Sequence, residues 1–408
     1  MNILVINSGS SSIKYQLFKM PSVKPICSGL VERIGLPNSV ITHKADLESN
    51  QESVKIILDL KDHEEGMLKV GELLTKPGIG VIQKPDEIEV VGHRVVHGGE
   101  YFSKTTVITS EVKDEIQKLF ALAPLHNPGH YLGISVCEKI FKKAVQIAVF
   151  DTAFHQTMPE KAYRYAIPSS YYKKYGIRVY GFHGTSHKYV TDQALKHLGN
   201  PHAKIITIHL GNGCSMAAVD GGRCVDTSMG LTPLDGLIMG TRSGNIDPSV
   251  IFHLMSEIEY SIDQINELLN KQSGMVGLTG YSDMRDVRKS MKDGDATAKL
   301  AYDMYAYRIK KFIGSYAAVL NGLDAIVFTA GVGENDSLTR ELVCQNLDFL
   351  GIELDADKNS LPEIGIRDIS SKKARTKVLV IPTNEELEIA NQCAELLSQQ
   401  KAETNKSI

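Results

Sequence analysis

Ile3-Leu4-Val5-Ile6-Asn7-Ser8-Gly9-Ser10-Ser11-Ser12, followed by the renewed apolar pattern Ile13 to Phe18, is the stretch whose reading decides the fold. A short run rich in β-branched residues ends in a polar Gly/Ser/Asn turn and then returns, which predicts strand, tight turn, strand. The same plan recurs half a chain later. Ile205-Ile206-Thr207-Ile208 runs into His209-Leu210-Gly211-Asn212-Gly213-Cys214-Ser215, and Met216 to Val219 returns before the turn Asp220-Gly221-Gly222. Two such hairpins point to two domains on related plans, with chance likeness of two hairpins as the competing reading.

Further strands and helices alternate around them. Glu89-Val90-Val91 leads into Gly92-His93-Arg94-Val95-Val96-His97-Gly98-Gly99, and Val145 to Phe150 is a strand ending at Asp151. Ser110 to Ala123, Gly129 to Phe141 and Ala298 to Leu320 have helical periodicity. Ala325 to Phe328 is a buried strand entering a Gly-containing loop, Thr329-Ala330-Gly331-Val332-Gly333-Glu334-Asn335. Val378 to Ile381 is the last strand, and Thr383 is placed to cap the helix after it, with a polar, frayed tail beyond Gln399. The alternation indicates an α/β protein. The boundary is expected near Phe150 and Asp151, giving domains 1–150 and 151–385, with the terminal helix 386–408 packing back on the first.

The 408 residues exceed what one core usually supports. Apolar residues at 42% and charged residues at 23% fit a folded globular chain, and a net charge of -3 offers no footprint for nucleic acid or an anionic membrane. A small anion would therefore need local Arg or Lys. Cys27, Cys137, Cys214, Cys224, Cys344 and Cys393 are scattered without a C-x-x-C pair, which argues for reduced thiols rather than a zinc or disulfide framework. No signal segment or membrane-length run is present in the sequence, so a cytoplasmic protein is expected.

A Walker loop is absent, and Gly331-Val332-Gly333-Glu334-Asn335-Asp336 lacks the third glycine of a dinucleotide fingerprint. Backbone N–H groups in hairpin turns can still cradle phosphates. Asn7 to Ser12, His209 to Gly213 and Gly331 to Asn335 are three polar turns after three buried strands, as nucleotide binding at strand ends requires. Phosphoryl transfer needs fixed cations, and Arg94 and Arg242 each sit in a Gly-flanked string suited to close approach. His183 and His187, four apart, could form a metal pair, but the Glu of a zincin motif is replaced by Gly184. Asp151 alone reads as a turn former and Glu385 alone as a first-turn helix acid.

Longer strings carry a resemblance. Asn7 to Lys14, Tyr180-Gly181-Phe182-His183-Gly184-Thr185-Ser186-His187, Gly92 to Gly99, Phe150 to His155, Met239-Gly240-Thr241-Arg242-Ser243-Gly244, Phe328 to Asn335 and Ile381-Pro382-Thr383-Asn384-Glu385-Glu386 together resemble the acetokinase family. That family lies within the superfamily of acetate and sugar kinases, heat-shock chaperones and actin. The resemblance spans almost the whole chain in the family's order. It implies two related actin-like (ribonuclease H-like) domains with a central nucleotide and substrate cleft, and reversible, ATP-dependent phosphorylation of acetate to acetyl phosphate.

It also implies roles. Arg94 and Arg242 clamp the acyl substrate and the phosphoryl group, His183 and His126 donate to it, and Asp151 is the family's active-site acid or base. A carboxylate is already ionised at neutral pH, with a pKa near ~4–5, so Asp151 is expected to position groups rather than remove a proton. Lys14, His209, Leu210, Gly211, Asn212, Gly213, Asp283, Met284, Arg285, Gly331, Val332, Gly333, Glu334 and Asn335 fall on the ATP side. Val96, Leu125, Phe182 and Pro233 wall the acyl pocket, and Asn7 and Glu385 hold Mg2+ (or Mn2+). A homodimer and a place in acetyl-CoA biosynthesis are further implications. The rivals are a propionate or butyrate kinase on the same scaffold and, from another class, an actin- or chaperone-like nucleotide switch.

Overall fold

A computed structural model describes every residue except 48, 49, 125, 407 and 408. Leu125, expected in the acyl pocket, lies outside the described residues. The chain divides into two units, residues 1–153 with 384–408, and residues 154–383.

The first unit is built on an eight-stranded sheet. Its strands are β1 (Asn2–Ser8), β2 (Ser12–Lys19), β3 (Pro25–Glu32), β4 (Ser39–Leu47), β5 (Asn50–Leu58), β6 (Val90–Val95), β7 (Thr106–Val107) and β8 (Val145–Phe150), in the order 5-4-3-2-1-6-8-7. β1 to β5 form an antiparallel meander, while β1, β6 and β8 run parallel. Ile3 to Ile6 are buried on both faces of β1, as in a sheet covered on both sides. Leu4, Ile6 and Val91 pack with Met67, Val70 and Leu74 of the helix His63–Thr75 and with Val136 and Cys137 of the helix Asn127–Ile140. The terminal helix Glu385–Lys406 crosses the other face. Gly92 permits that approach, because a Cβ there would sit 2.9 Å from both Cys393 Sγ and Ile389 Cγ2.

The second unit has a six-stranded sheet of β9 (Lys204–Leu210), β10 (Cys214–Asp220), β11 (Arg223–Thr227), β12 (Ala325–Thr329), β13 (Arg367–Asp368) and β14 (Lys377–Val380), in the order 11-10-9-12-14-13. β9 to β11 are antiparallel, and β9, β12 and β14 are parallel. Five strands in each unit thus share one plan, 3-2-1-6-8 against 11-10-9-12-14, with the same directions. The likeness of the two hairpins is topological, not accidental.

Three local expectations need correction. Thr383 does not cap the terminal helix; Asn384 does, with Oδ1 accepting from Leu387 N at 3.1 Å. Thr383 Oγ1 instead pairs with Ser186 Oγ at 2.8 Å. The segment expected as a loop after β12 is a helical turn, Ala330–Asn335. The terminal helix continues to Lys406, past the expected fraying point at Gln399. All six cysteines are buried and free. Among the described residues no helix is long and apolar enough to cross a membrane.

Candidate active site

In the first unit the parallel pairing of β6 and β8 sets Val95 opposite Phe150, which places Arg94 beside Asp151 just past the strand end. Arg94 Nε and Nη2 both donate to Asp151 Oδ2, at 3.0 and 2.6 Å, and Nη1 reaches Asn7 Oδ1 at 3.5 Å. Asp151 is buried and Arg94 partly so. Burial pulls the Arg94 pKa down, but the carboxylates of Asp151 and Glu385 more than reverse this, and it ends above its ordinary value. Glu385 is likewise raised, above the usual carboxylate range, by burial and by the like charges of Asp151 and Glu386. Lys14 does not stand free for phosphate: its Nζ pairs with Glu386 Oε1 at 2.5 Å. Asn7, Lys14, Arg94, Asp151 and Glu385 thus form one cluster.

Asn127, which the sequence reading missed, fixes the loop after β6. Its Oδ1 accepts from His97 N at 3.1 Å, and its Nδ2 donates to His97 O at 3.0 Å. Val96 is buried within that stretch. His126 precedes the same helix, its N–H bonded to Ala123 O at 3.1 Å.

In the second unit His183 is the N-cap of the helix Gly184–Leu198, in the left-handed region at φ 57°. Its ring stacks on His209 at 4.2 Å. His183 Nδ1 pairs with Ser215 Oγ at 2.9 Å, Ser215 Oγ with His187 Nε2 at 2.7 Å, and His187 Nδ1 with Thr207 Oγ1 at 2.7 Å. The Thr207 hydroxyl also lies 3.5 Å from Ala217 O. Burial holds His187 neutral, well below its ordinary pKa. The spacing of His183 and His187 therefore serves a hydrogen-bond relay rather than a metal pair.

That relay directs the His183 edge at the turn between β9 and β10. A Cβ at Gly213 would lie 3.5 Å from His183 Cε1 and Nε2 and 3.6 Å from Arg242 Nη1. Arg242 is partly buried and has no carboxylate partner among the described residues; Nη1 donates to Pro233 O at 3.2 Å. Burial lowers its pKa from the ordinary arginine value. An uncompensated guanidinium, an imidazole edge and a glycine turn come together here, a combination suited to an anion. Phe182 is buried, and its carbonyl accepts from His155 Nε2 at 2.9 Å.

Beside this turn is a cavity of about 680 Å3 bounded by Gly211, Asn212, Asp283, Met284, Arg285, Gly331, Val332 and Asn335. Met275, Ser282, Arg288, Tyr305 and Asp336 also line it, none of them anticipated. Asp283 caps the helix Met284–Lys292 and is held down to about 2 by its bonds to Arg285. His209 and Leu210 belong to β9, and Leu210 is fully buried in the core. Glu334 and Gly333 do not line the cavity. Glu334 Oε1 accepts from Ala330 N at 2.9 Å and Thr383 N at 3.1 Å, and Gly333 packs on Phe328.

Two units on one sheet plan, one with a carboxylate-held arginine and the other with an anion pocket beside a nucleotide-sized cavity, define a phosphotransferase of the actin-like two-domain class. The acetokinase family profile matches residues 2–391, and the chain belongs to that family. It is 56% identical over 397 residues to the acetate kinase of Flavobacterium johnsoniae, covering 97% of this chain and all of the relative. With the acetate kinase of Halothermothrix orenii the identity is 52%, covering 97% and 100%. Among solved structures, Porphyromonas gingivalis acetate kinase is 44% identical at a TM-score of 0.92, covering 97% and 99%. A propionate kinase from Francisella tularensis is 44% identical at 0.89, covering 96% and 98%.

Proposed function

We propose that the protein transfers the γ-phosphoryl group of ATP to acetate, reversibly, giving acetyl phosphate and ADP. The observation that carries this reading is Arg242 without a counter-ion, set against His183 and the Gly211–Gly213 turn beside the cavity. The cavity takes the nucleoside, the turn supplies N–H groups to the phosphates, and Arg242 and His183 neutralise charge on the transferring group. Arg94 holds the acetate carboxylate, and Asp151 fixes the guanidinium. The acetate oxygen attacks phosphorus directly and the ADP oxygen leaves, with no proton to remove. Val96, Pro233 and Phe182 limit the acyl chain.

A divalent cation fits the first unit's donor set. The carboxylates of Asp151, Glu385 and Glu386 gather beside Arg94 and Lys14, and this oxygen-rich set suits a hard ion. Asn7 and Glu385 would hold Mg2+ with water, since among the described residues no three acidic, His or Cys side chains converge on one point. Bound there, it supplies charge neutralisation to the phosphates. A homodimer in the cytoplasm, feeding acetyl-CoA biosynthesis, completes the reading. The helix Ser249–Ser256 supports self-association, because it buries none of its residues while Phe252 stands 68% exposed. Light scattering tests that part.

Acyl length is where the relatives diverge, as an acetate kinase and a propionate kinase are equally identical to this chain among the structures. The decisive experiment is the initial rate of ADP formation from Mg-ATP with acetate, propionate, butyrate and formate. A kcat/KM highest for acetate is expected. A preference for a longer acid would move the assignment to a propionate or butyrate kinase, and no acid-dependent rate would remove the kinase reading.

A further inference from the structure

The cavity wall formed by Gly331, Val332 and Asn335 is a helix of only six residues, Ala330–Asn335, far too short to be stable alone. Its first residue, Ala330, is held at φ 65°, a conformation unfavourable for a residue with a Cβ. Side-chain contacts must keep it in place. Glu334 secures the start by accepting the Ala330 N–H.

Two guanidinium groups secure the end. Arg340 Nη1 donates to Gly333 O at 2.8 Å and Glu334 O at 3.0 Å, and Arg367 Nη2 donates to Glu334 O at 2.8 Å. Each is anchored elsewhere. Arg340 Nε binds Asn359 Oδ1 at 2.7 Å and Nη2 binds Asn359 O at 2.8 Å, while Arg367 Nη1 binds Leu361 O at 2.7 Å. Both arginines are buried, and neither has a carboxylate partner among the described residues. Arg367 Nε is buried without any partner. Burial, and then the neighbouring charge of Arg367, push Arg340 down to about 10. Two like charges kept in the interior without a carboxylate in contact, Asp336 acting only from a distance, are unfavourable unless something specific is gained. Here they meet the negative end of a helix dipole and carbonyls that only a rigid fork can grip together.

We infer that Arg340 and Arg367 are positioning residues for the nucleotide: they clamp the Gly333 and Glu334 carbonyls and so preform the Gly331–Asn335 wall before ATP arrives. The inference rests on the reading of the 680 Å3 cavity as the nucleoside site. Neither arginine lines that cavity. Both line a separate hollow of about 350 Å3, which also includes Asn359 and Leu361 and gives a small cation room to enter.

The test is the steady-state kinetics of Arg367→Ala and Arg340→Lys, with thermal melting of each. The KM for ATP should rise about tenfold, the cost of one charge-assisted hydrogen bond, while the KM for acetate stays within about twofold. Guanidinium chloride at millimolar concentration should restore part of the ATP affinity of Arg367→Ala and none of that of Arg340→Lys, whose ammonium still fills the site. A lowered melting temperature with an unchanged KM for ATP overturns the inference, and so does an equal rise in both KM values. Gly331→Val separates the two layers of argument, because its side chain would project into open space at the cavity. If that variant leaves the KM for ATP unchanged, the nucleoside reading itself fails.

Discussion

Replacing Asp151 by Asn tests whether this carboxylate moves a proton or only holds Arg94. The structure favours holding. Asp151 is 1% exposed, and its Oδ2 takes two guanidinium N–H groups at 3.0 and 2.6 Å. Removing one partner of a buried ion pair costs about 3–5 kcal/mol. Asn keeps one acceptor and the shape, so about 2–4 kcal/mol of that should appear in the barrier, a loss of roughly 30- to 1000-fold in kcat. Arg94→Met removes the group that Asp151 holds. If Asp151 acts only through Arg94, the double variant Asp151→Asn/Arg94→Met should be no slower than Arg94→Met alone, a coupling about as large as the whole Asp151 effect. The assay is hydroxamate capture of acetyl phosphate, run with ATP saturating. Multiplicative losses in the double variant would refute the argument. So would a limb of the pH–rate profile that disappears specifically in Asp151→Asn, since that is the mark of a titrating acid or base.

Ser215→Ala cuts the relay behind His183 without touching substrate; kcat should fall about tenfold with little change in the KM for ATP, and an unchanged kcat would show the relay idle. Val96→Ala should raise kcat/KM for propionate relative to acetate by about 1–3 kcal/mol, the worth of a methylene in an apolar pocket; an unchanged ratio removes Val96 from the acyl wall. Asp226 is raised to about 6, chiefly by burial. Between its ordinary value near ~3.8 and that point the folded state keeps a proton the unfolded state has lost, so stability falls as pH rises through this window. Asp226→Asn should therefore melt higher than the parent at about pH 8 and lose that advantage below about pH 4; an equal gap at both ends contradicts the burial argument.

The strand-end turns were legible because a β-branched run meeting Gly, Ser and Asn has few alternatives, and Ile3–Ser12 and Ile205–Gly213 both satisfy that pattern. The relay was within reach but unread. The register sets Ser215 opposite His209 and Ala217 opposite Thr207, so Thr207, His209 and Ser215 share one face of the sheet. The helix Gly184–Leu198 packs on that face through Val190 and Ala194. Residues 183 and 187 lie on one side of that helix and 207 and 209 on one side of the strand, and superposing the two periods predicts the contacts. Reading His183 and His187 as a possible metal pair used only the first period. The segment 330–335 was read as a loop because two glycines lower helix propensity, and Arg340 and Arg367 override that preference from outside, with Glu334 bonding the first N–H from within. No local pattern announces a clamp whose members lie at positions 340 and 367.

The shared strand plan makes the division of labour plain. β6 and β12 occupy corresponding places in the two sheets, yet β6 carries His93 and Arg94 while β12 reads Ala325-Ile326-Val327-Phe328-Thr329. In the first unit the charged chemistry is mounted on the sheet itself, and an arginine there must bring its own counter-ion in Asp151. In the second unit the corresponding strand β12 stays apolar up to Thr329. In the proposed mechanism the phosphates meet instead the helix cap His183 and Arg242, whose guanidinium has no carboxylate partner among the described residues. A guanidinium already neutralised by a neighbour is suited to orienting a weakly bound carboxylate, and one left uncompensated is suited to a highly charged transition state. The same architecture therefore yields two arginines with different tasks, and exchanging their environments should harm the reaction more than it harms the fold.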